Sequence, residues 1–81
     1  MKSTEAISAA RQMIGELTGQ RIDTVAGVRP HEQGWMVTLV LIESKGVPDS
    51  RDLLATYEIQ LDPTGDLISY QRTDRYLRGR V

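Results

Sequence analysis

The sequence contains no cysteine. No disulfide can staple it, and no thiolate can serve as a nucleophile or a metal ligand. That suits a reducing compartment. A single histidine, His31, stands between Pro30 and Glu32. With no cysteine and no second histidine, a zinc site of ordinary composition cannot be built. A lone histidine in such a turn reads as a solvated surface residue. No apolar run reaches the ~18 residues of a membrane span; the longest, Trp35 to Ile42, is broken by Thr38. The opening "MKSTEAISAARQMIGEL" carries Glu5, Arg11 and Glu16 in place of a signal-peptide core. The expectation is a soluble, cytoplasmic protein. Glycines 15, 19, 27 and 34 occur singly or at element ends, so no glycine-rich phosphate loop exists. Net charge is −1, too little to attract nucleic acid or a membrane surface over distance.

What is present is enough for one small domain. A chain of 81 residues supports a single core, burying about 60–65% of the surface it exposes when unfolded. Residues 4–18 read as a helix, with Ile7, Ala10, Ile14 and Leu17 on one stripe. Ser3 or Thr4 is expected to cap its start and Gly19 its end. Gly15 weakens the helix interior unless it allows close approach to a sheet. Residues 20–29 fit a strand with a bulge near Ala26 and Gly27. "RPHEQG" then reads as a turn, with Gly34 free to take positive φ. Residues 35–43 form the clearest strand. Trp35, Val37, Leu39 and Leu41 point one way, Met36, Val40 and Ile42 the other. Apolar faces on both sides mark a central strand. One helix covers only one side, so the second face needs a curled sheet, the C-terminal tail or another molecule.

Residues 53–62 alternate cleanly, with Leu53, Ala55, Tyr57, Ile59 and Leu61 on one face. "LDPTGDL" supplies a hairpin turn: Asp62 accepts local hydrogen bonds, Pro63 presets φ, and Gly65 takes the left-handed position. A three-residue loop sets Leu61 opposite Leu67, and a four-residue loop sets it opposite Ile68. The second choice buries the larger pair, Ile68 and Tyr70, and is preferred. It gives Arg72, Tyr76, Arg78 and Arg80 one parity on the last strand, residues 66–76 and their continuation.

The charged residues invite a search for chemistry. Glu43, Asp49 and Asp52 flank one loop and could act as acid–base groups or hold a hard cation. Lys45 and Arg51 lie among them, and no calcium-loop spacing appears. A solvated loop ion-paired to the C-terminal arginines is the simpler reading. "YQRTDRYLRGR" interleaves tyrosine and arginine, a pattern that can stack and neutralise nucleic acid. Asp74 and the neighbouring acidic loop count against that. Arginine stems and tyrosine rings closing the sheet edge against Glu43, Asp52 or Glu58 account for it without a ligand. A protein-docking surface is a third reading, since both residue types are favoured anchors.

An ordered set of these features resembles the gas vesicle protein O family (GvpO). It comprises Trp35 and Val37 opening an apolar strand, then Glu43, Pro48 and Asp52. The block Leu54, Ala55, Tyr57 and Glu58 follows, then the "LD..G.L" turn and the ending "Y.R..RY.RG". The likeness runs over roughly residues 5–80. Family members often carry a longer charged N-terminal extension, whereas this sequence starts almost at the helix. The resemblance implies an accessory protein for building gas vesicles, acting through contacts with other accessory proteins or the shell protein. It implies no enzymatic activity and no cofactor, and it carries no active-site residues over. A weaker likeness, in "TEAISAA" and "LDPTGDLISY", is to PepSY-type modules, small α+β domains that regulate partners.

The expected architecture is α+β: one domain over residues 1–81, with one N-terminal helix packed on a curved three- or four-stranded antiparallel sheet in a PepSY/cystatin-like arrangement. Its core should hold Ile7, Ile14, Leu17, Val37, Leu39, Ala55, Tyr57, Ile59 and Tyr70. The expected partner-binding surface is the face away from the helix: Met36, Val40, Ile42 and Leu54, with Arg72, Arg75, Tyr76 and Arg78. A symmetric homodimer is one way to bury it.

Overall fold

The computed structural model describes residues 2–79. Helix α1 spans Ser3–Thr18 and rests on the sheet through Ala6, Ala10 and Ile14, all buried. Two of these are alanines, which let the helix axis lie close to the strands. The helix begins one residue before the expected start, so Ser3 lies inside it and neither Ser3 nor Thr4 caps it. Lys2 is the N-cap residue, and its backbone N–H donates to the Glu5 carboxylate at 2.8 Å. Gly19 closes the C-terminus in the left-handed conformation, its N–H donating to the Gly15 carbonyl at 2.9 Å. Nothing lies within 4 Å of where a Gly15 side chain would begin, so this glycine serves no close approach. Leu17 falls in the last turn and is 53% exposed instead of joining the core.

The rest of the chain is an antiparallel meander of β1 (Arg21–His31), β2 (Gly34–Ser44), β3 (Leu53–Leu61) and β4 (Leu67–Leu77), adjacent in that order. A short 3₁₀ turn, Asp49–Arg51, interrupts the β2–β3 loop. β1 runs further than its sequence suggests. Pro30 is tolerated because β1 is an edge strand, where a missing N–H breaks no ladder bond. The turn therefore shrinks to Glu32 and Gln33, which take positive φ themselves (48° and 69°). Gly34 is instead the first residue of β2. A side chain there would collide with the Leu61 carbonyl. β1 bulges at Asp23 and Ala26, the second where the sequence places it.

β2 is central, as its two apolar faces require. Val37, Leu39 and Leu41 meet Ile59 and Leu61 of β3 beneath the helix, with Ile22, Val25 and Val28 of β1 packed at the side. On the opposite face Val40 and Leu54 are also buried, while Met36 and Ile42 are half-buried.

The β3–β4 hairpin corrects the preferred register. Asp62 and Asp66 pair through an Asp62 N–H to Asp66 carbonyl bond of 2.9 Å, leaving a three-residue loop and setting Leu61 opposite Leu67. Ile68 is then a bulge, 56% exposed. The bulge shifts parity by one, so Leu67 and Tyr70 both face the helix side, Tyr70 opposite Ile59. Tyr70 nonetheless stays 41% exposed, because the helix does not reach over β4. A second bulge at Thr73 splits the expected tail parity. Arg72 and Arg75 oppose Tyr57 and Ala55 on the helix side, whereas Tyr76 opposes Leu54 on the other. Arg80 lies outside the described residues.

Candidate functional site

The turn 62–66 is held by its own side chains. The Asp62 carboxylate accepts from the Thr64 hydroxyl (2.7 Å), the Thr64 N–H (2.9 Å) and the Asp66 N–H (3.0 Å). Those donors, the Thr64 hydroxyl foremost, hold its pKa below the usual carboxylate range. Gly65, at φ 94°, completes the turn. Every contact of Asp62 is structural.

At the other end of the sheet, a second carboxylate organises the long loop. Asp52 is fully buried. It accepts from the Gly46 N–H (2.8 Å), the Lys45 ammonium (3.0 Å) and the Arg78 Nε (3.1 Å). The Gly46 N–H, with Lys45 and Arg78 beside it, lowers its pKa in spite of burial. The backbone closes the same clasp: Arg78 N–H donates to the Asp52 carbonyl and Gly79 N–H to the Ser50 carbonyl, each at 2.9 Å. Arg78 also reaches Asp23 of β1 at 2.7 Å, the contact that most raises its own pKa. Asp52 is thus a buried, ionised anchor with both carboxylate oxygens hydrogen-bonded within the chain.

A third charged group sits on the helix side of the sheet. Glu43 lies between Arg72 (3.2 Å) and Arg75 (3.3 Å), with only 10% of its side chain exposed, while both arginines are about half-exposed. Tyr57 and Tyr70 lie alongside, ring centroids 6.3 Å apart. The expected pairing of arginines with Glu43 and Asp52 is therefore found, whereas Glu58 takes Arg29 of β1 instead, at 3.8 Å. His31 is half-buried, 3.9 Å from its neighbour Glu32. Among the described residues no cluster of potential ligands could hold a metal ion, and no helix is long and apolar enough to cross a membrane.

The expected partner-binding residues divide into three groups. Val40, Ile42, Leu54 and Tyr76 gather on the face away from the helix, Leu54 lying between Ile42 and Tyr76 across the strands. Val40 and Leu54 are already shielded there, leaving Ile42 and Tyr76 partly open. Met36 stands further along the same face. It borders a shallow depression of about 210 Å³ lined by Glu58, Gln60, Ser69 and Gln71. Arg72 and Arg75 are on the opposite side, and Arg78 is in the Asp52 clasp. Sequence reasoning missed Asp23 and Lys45 as partners in that clasp. Neither carries a spacing signal, because a loop and a strand bulge bring them together.

Fold and surfaces define a class: a small α+β domain with one helix on part of a four-stranded meander, its buried or pinned charges committed to ion pairs. The chain belongs to the family described as gas vesicle synthesis protein GvpO, whose profile matches residues 1–81. It is 39% identical over 74 residues to gas vesicle protein O of Streptomyces sp. (strain CB03234), covering 91% of this chain and 58% of that protein. Gas vesicle protein O1 of Halobacterium salinarum is 32% identical over 76 residues, covering 94% of this chain and 64% of the relative. Gas vesicle protein O of Haloferax mediterranei is 32% identical over 77 residues, covering 94% and 55% respectively. The chain therefore spans 55–64% of the length of these relatives. No solved structure matches it, and the PepSY-like comparison gains no support.

Proposed function

We propose that this protein takes part in gas vesicle formation as an accessory factor, acting by contact with other gas vesicle proteins and catalysing no reaction. The observation that carries this reading is the family match along the whole sequence, shared with gas vesicle proteins from a bacterium and from two haloarchaea. The architecture is in keeping with it. Asp52 and Asp62, the two carboxylates with lowered pKa, are each held by donors within the chain. A general acid or base needs a pKa near working pH and a proton within reach; neither group meets that description. The surfaces left open are sheet surfaces bearing tyrosine, arginine and scattered apolar groups, suited to protein contact. Residence beside or on the vesicle, in the cytoplasm, follows from the same reading.

The docking set of Met36, Val40, Ile42, Leu54, Arg72, Arg75, Tyr76 and Arg78 acts in this reading as separate patches, with Val40 and Leu54 supporting their neighbours from beneath. A homodimer through the face away from the helix would cover Met36, Ile42 and Tyr76. The experiment is deletion of the gene in its host with complementation, scored by electron microscopy for vesicles. Loss of vesicles and their return on complementation are expected. Normal vesicles in the deletion strain would sink the proposal.

A further inference from the structure

The helix side of the sheet is half empty. α1 packs on β1 and β2 and least on β3, leaving β4 largely uncovered apart from Leu67 at its start. Two strand spacings are about 9.6 Å, and packed helices lie about 8–10 Å apart. A second helix beside α1 would therefore sit over β3 and β4. The surface there is not that of a solvated edge. Tyr57 and Tyr70 lie together, with Tyr70 exposed, and Leu77 is exposed further along the strand. Arg72 and Arg75 share one carboxylate, Glu43, which leaves the shelf one unit positive.

The geometry points to this shelf as the docking site for an amphipathic helix of a partner protein, with apolar side chains over the tyrosines and Leu77 and acidic side chains meeting Arg72 and Arg75. The charge balance selects the occupant. Glu43 at the centre and a chain of net charge −1 repel a phosphate backbone, whereas one or two carboxylates on a helix match the surplus. The inference rests on the reading that the protein works by contact with gas vesicle proteins, and it names the chemistry of the partner.

The test uses the full chain and, as probes, the other gas vesicle proteins of its host, each purified singly. At least one is expected to bind, with affinity falling as salt rises. Arg72→Glu with Arg75→Glu should weaken that binding about tenfold or more. Reversing acidic residues on the partner helix should restore it. Should the double variant fail to fold by circular dichroism, a benzoylphenylalanine crosslinker in place of Tyr70 decides the matter. It should capture an acid-bordered helical segment, and the same crosslinker in place of Gln71, on the other face, should not. Binding indifferent to the arginines, or crosslinks from position 71 alone, overturns the shelf and leaves protein contact intact. Crosslinking to nucleic acid overturns the choice of occupant. If none of the proteins binds, the shelf falls; the deletion experiment separately decides whether vesicle formation needs the gene.

Discussion

Single residues carry more of this structure than composition suggests. Asp52 gathers one backbone N–H and two cations in a site without solvent. Removing the carboxylate would leave Lys45 and Arg78 without their shared partner and Gly46 without an acceptor. Asp52→Ala should lower the melting temperature by about 10 °C, with charge-conserving Asp52→Glu disturbing it too because the pocket is fitted to the shorter side chain. The acid side of the stability profile follows from the same group. Its pKa is lowered in the folded state, so its stabilisation is fully present above the unfolded value of ~3.9 and is lost as pH falls through the folded one. Asp62 acts with the same sign. Chemical denaturation of Asp52→Asn between neutral pH and pH about 3 should therefore show a shallower decline than the unaltered protein, with Asp62 contributing to the slope that remains. An equal slope would mean that folding does not lower the Asp52 pKa. Gly34 is fixed by the Leu61 carbonyl. Gly34→Ala should cost about 2 kcal/mol or more, since the obstacle is backbone and cannot rotate away.

Elements were legible where periodicity met composition and illegible where a bulge intervened. Thermal or denaturant unfolding can check both. Gly15→Ala places a methyl group into open space within a regular helix, so it should stabilise by about 0.5–1 kcal/mol. Ile59→Ala and Ile68→Ala compare a core strand residue with a bulge. Ile59 is fully buried opposite Tyr70, so its truncation should cost about 2–4 kcal/mol. Ile68 stands out of the ladder, and its truncation should stay within about 0.5 kcal/mol. Equal losses at both would restore the rejected register. The helix, β2 with its two apolar faces and β3 follow from spacing, which leaves the sheet at three or four strands because the apolar spacing of β1 is irregular. Burial at Ile14, Val37, Leu39, Ala55 and Ile59 follows equally. The failures have a common cause. A bulge adds one residue to one strand and reverses every later face, yet a residue such as Thr73 announces it by no composition rule. That is why Tyr76 and the arginines, read as one surface, stand on opposite sides. Leu17 and Tyr70 fail differently. Each has the correct phase, but burial also needs something overhead, and pattern does not report how far a covering element extends.

The whole molecule is longer than its one helix can cover. A helix of 16 residues is about 24 Å long, whereas three strands of 11 residues each approach about 36 Å. The principal extents, 41 × 24 × 19 Å, reflect that mismatch. Uncovered strand ends would fray without a tie, and the C-terminal turn supplies one. Arg78 links Asp52, at the mouth of β3, to Asp23 in β1, while its own backbone is bonded to the loop. Strands that are otherwise connected only through their neighbours are thereby joined directly, so the last strand is not an independent flap. Ending the chain after Leu77 should remove this tie without touching the buried cluster beneath α1. The expected result is a protein that still folds, with its melting temperature lowered by about 5–10 °C. Amide exchange should quicken at Gly46, Arg51 and Asp52, while the central amides of β2 and β3 keep their protection. Because the shortened chain and Asp52→Ala remove the same contacts, their effects in combination should fall well short of the sum. Full additivity would show that Arg78 and Asp52 stabilise the domain separately, and that the turn closes nothing.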